Sequence, residues 1–300
     1  VVSDGLVYYA ASIWPFMGTF LYCLDSRSGK VVWRNEGEGA RYMLQPHNAP
    51  SFAGVAPQGA FVVYGDHLII PGGRSVPAVF NRATGEFQYY RLAESGKVGG
   101  SFVCAAGGVF FNHTREKNVT MYDMMTGDIL VPDMGKYPVV GADAWYFSGD
   151  RISSVGSGWL RDFPAARAGL KPNQAASLAD SAVKRNRKWN IAVDASGDLI
   201  MAGGRLYAAG GSTIACVDPS ADSKPRVVWT KRVSGRVGRL LAADGRLFAV
   251  TTDGSILAFG AEKPAAPRSF PSVPAAADPG IDANRRVREL IDRTGVVDGY

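Results

Sequence analysis

One short turn recurs along this chain and limits what the chain can fold into. An apolar run, Leu21–Asp25, ends in an acid; Ser26-Arg27-Ser28-Gly29 follows, and a second short apolar run closes on Trp33. The plan returns at Phe80–Tyr89, with Asn81 and Gly85 in the acid and glycine positions, and at Tyr122–Val131, with Asp123 and Gly127. Asp and Asn fold their side chains back onto their own backbone, and glycine supplies the positive φ that closes a tight turn. Each stretch therefore reads as a β-hairpin. A lone hairpin cannot bury its own apolar face, but a stack of them can, so the repeat implies a repetitive architecture.

Other apolar runs complete the units. Gly5–Ala11 precedes the first hairpin. The second unit holds Ala60–Tyr64, His67–Ile70, Pro77–Phe80 and Glu86–Tyr90. The third holds Ser101–Ala105, Val109–Phe111, Val119–Tyr122 and Ile129–Val131. Ala144–Phe147 and Arg151–Val155 belong to a fourth, closed by Trp189. Leu199–Ala202, Leu206–Ala209, Thr213–Val217 and Val227–Trp229 make a fifth. Gly238–Ala242, Leu247–Thr251 and Ile256–Phe259 make a sixth. Four short strands per unit with tight turns predict an all-β fold, a β-propeller of four-stranded antiparallel blades. About six blades are present, incomplete at both ends, and a short C-terminal helix follows.

The spacing supports that reading against a sandwich of unrelated hairpins. Closing positions fall at Trp33, Tyr89, Val131, Trp189 and Trp229, in steps of 56, 42, 58 and 40 residues. Two steps match the propeller period of about 40–50 residues. The other two carry a loop at 36–59, where Gly and Pro exclude long regular structure, and a departure at 159–187. That departure contains Gln174–Val183, helix-prone through its Ala and Leu content. The Trp189 register puts it between strands three and four. If Trp189–Val193 is instead a third strand, the insertion moves to the other face.

Composition narrows the functional classes. Glycine is 36 of 300 residues, well above the usual ~7%, and falls between short apolar runs. No apolar run reaches the length of a membrane-spanning helix. The net charge of +6 is scattered except at Lys184–Lys188 and Arg285–Arg288, so there is no concentrated stripe for nucleic acid. The basic run 184–188 is a candidate partner contact. Cys23, Cys104 and Cys216 each sit in an apolar run and read as buried small hydrophobes. No Cys-x-x-Cys or Cys–His spacing suggests a metal. Three segments result: residues 1–262 a partial propeller, 263–280 a Pro/Ala-rich linker, and 281–300 a helix beginning a further domain. In the last, Asp282 caps a helix with Val287, Leu290 and Ile291 on one face.

The motif Leu24-Asp25-x-x-Ser28-Gly29-x-x-x-Trp33 resembles the repeat of the quinoprotein-type β-propellers, the PQQ-repeat family. The resemblance covers roughly residues 1–262 and loosens at 217–229, around Asp218, where three residues are inserted. It implies that Trp33, Tyr89, Trp189 and Trp229 dock between blades. Some members of the family are dehydrogenases that hold pyrroloquinoline quinone (PQQ) and Ca²⁺. Others hold no quinone and work as periplasmic assembly subunits. The chain has no adjacent Cys-Cys pair and no Glu/Asn/Asp set matching the Ca²⁺ ligands, so the resemblance implies the non-dehydrogenase branch. It also implies a bacterial protein that is periplasmic or exported.

Three functional classes follow. The preferred one is a non-catalytic binding or assembly platform within a multidomain protein, with no cofactor and no catalytic residue. The second is part of a PQQ-dependent dehydrogenase. The third is an accessory domain of an S-adenosylmethionine-dependent methyltransferase beyond residue 300, suggested by the helix at 282–293 and Thr294-Gly295.

Blade topology sorts the loops. Connections one–two and three–four lie on one face, which collects Asp25–Gly29, Gly65-Asp66, Gly107-Gly108 and Gly149-Asp150. Two–three loops and blade-to-blade loops lie on the other, including a loop expected at Asn112–Asn118. Binding usually resides in long loops on a rigid scaffold. The candidate patch on that second face is Trp14, Arg41, His47, Asn48, Arg74, His113 and Arg115. It would take a protein partner or a small anionic ligand, which guanidinium meets bidentately. Asn112 and Asn118 also stand in formal glycosylation sequons.

Overall fold

The computed structural model describes residues 1–12, 19–38, 41–45, 48–72, 75–92, 98–114, 118–219 and 224–261, and the positions 285, 289 and 292. Two units are distinct, Val1–Phe259 and Gly260–Tyr300. In the second, Arg285, Glu289 and Asp292 are helical, and Arg285 Nε lies 3.2 Å from Glu289. The expected linker and the helix's apolar positions lie outside the described residues.

The first unit is an all-β propeller. Among the described residues it has five four-stranded antiparallel sheets, one of three strands and one of two. Blade one is Val2–Ser3, Leu6–Ala11, Phe20–Asp25 and Val31–Asn35; blade two is Val62–Tyr64, His67–Ile70, Ser75–Asn81 and Phe87–Leu92. Blade three is Val98–Ala106, Val109–Thr114, Val119–Asp123 and Ile129–Val131. Blade four is Lys136–Val140, Ala144–Ser148, Ile152–Gly156 and Arg187–Ile191. Blade five is Asp198–Ala202, Arg205–Gly210, Thr213–Asp218 and Arg226–Arg232, and blade six is Val237–Ala243, Arg246–Thr251 and Ile256–Phe259.

Three expectations need correction. Blade four begins at Lys136–Val140, a strand the sequence reading lacks because Pro138 interrupts a short run. Counting from that strand, Gly149-Asp150 joins strands two and three. It therefore sits on the loop-rich face, not the plain one. Asn112, His113 and Thr114 are not loop residues but continue the second strand of blade three, with Asn112 opposite Thr120 and His113 opposite Val119. Asn112 is fully buried and its amide donates to Phe102 O at 2.7 Å, which rules it out as a glycan acceptor. The stretch 36–59 contains a hairpin of its own, Arg41–Leu44 paired with Pro50–Ala53.

The recurring turn has one local cause. Asp25 Oδ1 accepts the amides of Arg27 (3.2 Å) and Ser28 (2.7 Å), and Asn81 Oδ1 those of Ala83 (2.9 Å) and Thr84 (3.1 Å). Asp123 Oδ1 accepts those of Met125 (2.8 Å) and Thr126 (3.2 Å). Gly29, Gly85 and Gly127 close the turns at φ of 68°, 73° and 69°.

Those turns are also sockets. The Trp33 indole of blade one donates Nε1–H to Arg82 O of blade two at 2.8 Å. Its ring lies so close to Gly85 that a Cβ there would come within 2.5 Å of it. One blade further on, Tyr89 Oη donates to Met124 O at 2.8 Å, and a Cβ at Gly127 would fall 2.8 Å from its ring. An aromatic closing one blade is thus received by the glycine turn of the next. Five apolar clusters join successive blades in pairs, one to two through five to six.

Trp189 and Trp229 have different surroundings. Trp189 packs tilted on Tyr146 with centroids 5.7 Å apart, at the blade four–five cluster. Trp229 stays 38% exposed because blade six, among the described residues, offers no three–four turn to receive it. Asp218 instead pairs with Arg205 at 2.8 Å.

The insertion lies between strands three and four of blade four, and it folds back over blade three. It comprises a 3₁₀ turn, Gly158–Arg161, a one-turn helix α1, Phe163–Ala166, and a helix α2, Pro172–Arg185. Leu160 covers Gly107, where a Cβ would come within 2.5 Å of its side chain. Arg167 Nη1 pairs at 2.7 Å with Asp123 Oδ2, on a carboxylate only 2% exposed. Ala175, Ala179 and Val183 of α2 pack into the cluster that holds Leu130 and Val131. None of the helices among the described residues is long and apolar enough to cross a membrane.

Two predictions follow from this packing. Trp33→Ala is expected to cost about 3–5 kcal/mol, the range for truncating a buried aromatic. Trp229→Ala, already exposed, should cost about 1 kcal/mol; urea unfolding of the two variants measures the contrast. Arg167→Leu should cost about 2 kcal/mol, since it strands the buried Asp123 carboxylate. Proteolysis within 157–186 should accelerate in that variant.

Candidate functional site

The hairpin between blades one and two projects from the loop-rich face. Its register pairs Arg41 with Ala53, Tyr42 with Phe52, Met43 with Ser51 and Leu44 with Pro50. Asn48 makes the reversal possible by adopting φ 64° at the tip, and its amide donates to Gln45 O at 2.9 Å. The amide of Val55 donates to Glu38 O at 3.1 Å and ties the base.

Side chains of a strand alternate between faces, so the pairing gives this hairpin two unlike sides. On the side toward the propeller, the Arg41 guanidinium lies 4.2 Å from the Phe87 ring centroid and is ion-paired to Glu38. Ala53 beside it is buried. The other side carries Tyr42, Leu44, Pro50 and Phe52. Tyr42, Leu44 and Phe52 are 64%, 62% and 63% exposed, and the Tyr42 and Phe52 rings meet edge to face at 5.3 Å. Burying each such side chain would yield about 1.5–3 kcal/mol. An apolar cluster left in water on a protruding element marks an interaction surface.

The sequence-derived patch divides as follows. Trp14, His47, Arg74 and Arg115 lie outside the described residues. Arg41 faces inward, held by Glu38 and Phe87, and Asn48 forms the hairpin tip. His113 sits in the sheet of blade three. Its Nδ1 accepts the Phe102 amide at 3.4 Å, its ring lies 6.0 Å from Tyr137, and it occupies the space a Cβ on Gly100 would need. Burial holds its pKa below the ordinary value. Among the described residues no hydrogen bond, ion pair or ring contact joins Arg41, Asn48 and His113. Nor do any three His, Cys, Asp or Glu side chains there come together as a metal site would require.

The exposed row Tyr42, Leu44, Pro50 and Phe52 falls in a stretch whose Gly and Pro content reads as loop from sequence. A signal is present in the sequence: apolar residues at period two, Tyr42-x-Leu44 and Pro50-x-Phe52, stand on either side of Asn48, a residue type favoured in turns.

The family described as outer membrane protein assembly factor BamB matches residues 17–263. The chain belongs to this family of PQQ-repeat propellers. No curated protein sequence matches it. Among solved structures, it is similar to BamB from Moraxella catarrhalis at 13% identity and a TM-score of 0.48, over 86% of this chain and 70% of that one. It is also similar to the computationally designed Ika8 protein at 9% identity and a TM-score of 0.52, over 87% of this chain and 69% of that one.

The half-buried setting of His113 gives a pH prediction. Its folded pKa lies below the unfolded value of about 6.5, so the unfolded chain takes up a proton that the folded one resists. The contribution is neutral above that value, and stability falls as pH drops below it. Unfolding midpoints across pH 5 to 8 should show this slope, and His113→Gln should remove its share.

Proposed function

We propose that this propeller is a non-catalytic docking platform for a protein partner in outer-membrane assembly. It holds no cofactor of its own and acts in the periplasm or another exported location. The observation that carries the reading is the outward apolar face of the hairpin, Tyr42, Leu44, Pro50 and Phe52, presented on a rigid scaffold. Interface cores are enriched in aromatic residues of this kind. Membership of a family described as an assembly factor supports the same direction. A protein partner is favoured over a small anionic ligand at this face because Arg41 is engaged by Glu38 and Phe87.

A photo-crosslinking amino acid at position 42, in the native host, tests the reading. The expected result is one discrete adduct containing an outer-membrane assembly protein. The same probe at Met125, equally exposed but on the opposite face, should give none. Tyr42→Ser with Phe52→Ser should leave the unfolding free energy within about 0.5 kcal/mol and abolish a partner interaction measured with purified proteins. Equal adducts from both positions, or none from position 42, would contradict the proposal. Titration with PQQ and Ca²⁺ should show no saturable binding; saturable binding with dye-linked alcohol oxidation would favour a dehydrogenase.

A further inference from the structure

The outer strands of the blades differ in charge. In blades one and two their arginines are neutralised, Arg34 by Glu36 and Arg91 by Asp128. The outer strand of blade three, Ile129–Val131, carries no charge. In blade five the outer strand, Arg226–Arg232, lies in a stretch, 224–239, that holds six Lys and Arg and no Asp or Glu. Lys224, Lys231, Arg232 and Arg236 are exposed, with no ion-pair partner among the described residues. The other two reach an acid only at long range, Arg226 to Asp218 at 3.7 Å and Arg239 to Asp198 at 3.9 Å. The basic run 184–188 stands on the adjoining edge of blade four. There Trp189 packs on the cluster that holds Ala215 and Val217 of blade five.

The middle of the blade-five strand is apolar. Val227, Val228 and Trp229 are 38%, 43% and 38% exposed. All seven residues of this strand are exposed, which is true of none of the other outer strands described. The register shifts between the Val217–Val227 and Cys216–Trp229 pairs and leaves Val228 as the extra residue of a bulge. Charges alone would guard a free sheet edge against pairing with another strand. A guard has no use for Val-Val-Trp at its centre. Two valines and an indole with cations at both ends fit the headgroup layer of a bilayer instead. Trp favours that interface, and Lys and Arg are drawn to anionic headgroups. The cations spread along two blade edges. Mobile headgroups can gather beneath charges so scattered, whereas a folded acidic partner would need carboxylates fixed at matching places.

We propose that the outer edge of blade five, with the adjoining basic run of blade four, rests on an anionic phospholipid surface. Its cations meet headgroup phosphates, and Val227, Val228 and Trp229 enter the interfacial layer. This surface belongs to different blades from the hairpin and does not depend on the partner bound there.

Co-sedimentation of the chain with vesicles of mixed phosphatidylglycerol and phosphatidylcholine tests this. Saturable binding is expected, absent with phosphatidylcholine alone and weakened by raised salt. Lys224→Gln with Lys231→Gln and Arg232→Gln should weaken it about a hundredfold. Arg34→Gln with Arg91→Gln removes cations that are already paired and should change it by no more than about twofold. Lipids brominated near the headgroup should quench part of the tryptophan emission, and Trp229→Phe should remove that quenching. Every substituted side chain is exposed, so the variants keep the fold. Absence of binding to the anionic vesicles overturns the proposal. So does equal weakening by the two sets of substitutions, or quenching that persists in Trp229→Phe. Equally tight binding to soluble polyglutamate without bromolipid quenching would mark an acidic-protein surface and overturns it as well.

Discussion

The propeller depends on an aromatic side chain seated against a glycine that has no room for a Cβ. Trp33 on Gly85 and Tyr89 on Gly127 are the same device, each secured by a hydrogen bond to a backbone carbonyl of the receiving turn. A buried aromatic removes some 150–250 Å² from water, which at about 25 cal/mol per Å² is about 4–6 kcal/mol per junction. The Asp or Asn that opens the turn serves the same end indirectly. By capping the amides behind it, it fixes the shape of the socket before the neighbour's ring arrives. Sequence, turn and interblade packing are therefore one constraint seen at three scales.

Where the device is absent the chain does something else, and those departures carry the functional content. Between blades three and four a helix stands in for the wedge, and Arg167 ties the insertion to the buried turn acid Asp123. Between blades one and two, where the wedge is intact, the connection is free to project a hairpin whose apolar side faces water. The regular junctions make a frame, and the irregular connections make surfaces that differ from blade to blade.

Legibility in the sequence follows the range of the interaction responsible. The Asp25–Gly29, Asn81–Gly85 and Asp123–Gly127 turns close within five residues, so their chemistry is local and readable. The blades follow from them, as does the place of the insertion between strands three and four. The Lys136–Val140 strand was not readable, because Pro138 mimics a loop and the strand exists through its pairing with Ala144–Ser148. Overlooking it put Gly149-Asp150 on the wrong face. His113 reads as a loop residue because polar neighbours hide the strand; the packing of its ring against Gly100 is a tertiary fact. Arg41 looked available because no sequence pattern announces that Phe87, in the next blade, lies beneath it. The hairpin's period-two pattern was visible, but only the structure shows which side faces out.

The direct test of the socket is a double-mutant cycle on Trp33→Ala and Gly85→Ala, followed by equilibrium unfolding. With Trp33 present, an alanine at position 85 pays both its left-handed backbone, about 1–2 kcal/mol, and a clash with the ring, about 1–3 kcal/mol. With Trp33 removed, only the backbone part remains. The account predicts strong non-additivity, a coupling of about 1 kcal/mol or more in which Gly85→Ala is milder in the Trp33→Ala background. Strict additivity would contradict it, because the ring and the glycine would then not be stabilising the fold through each other.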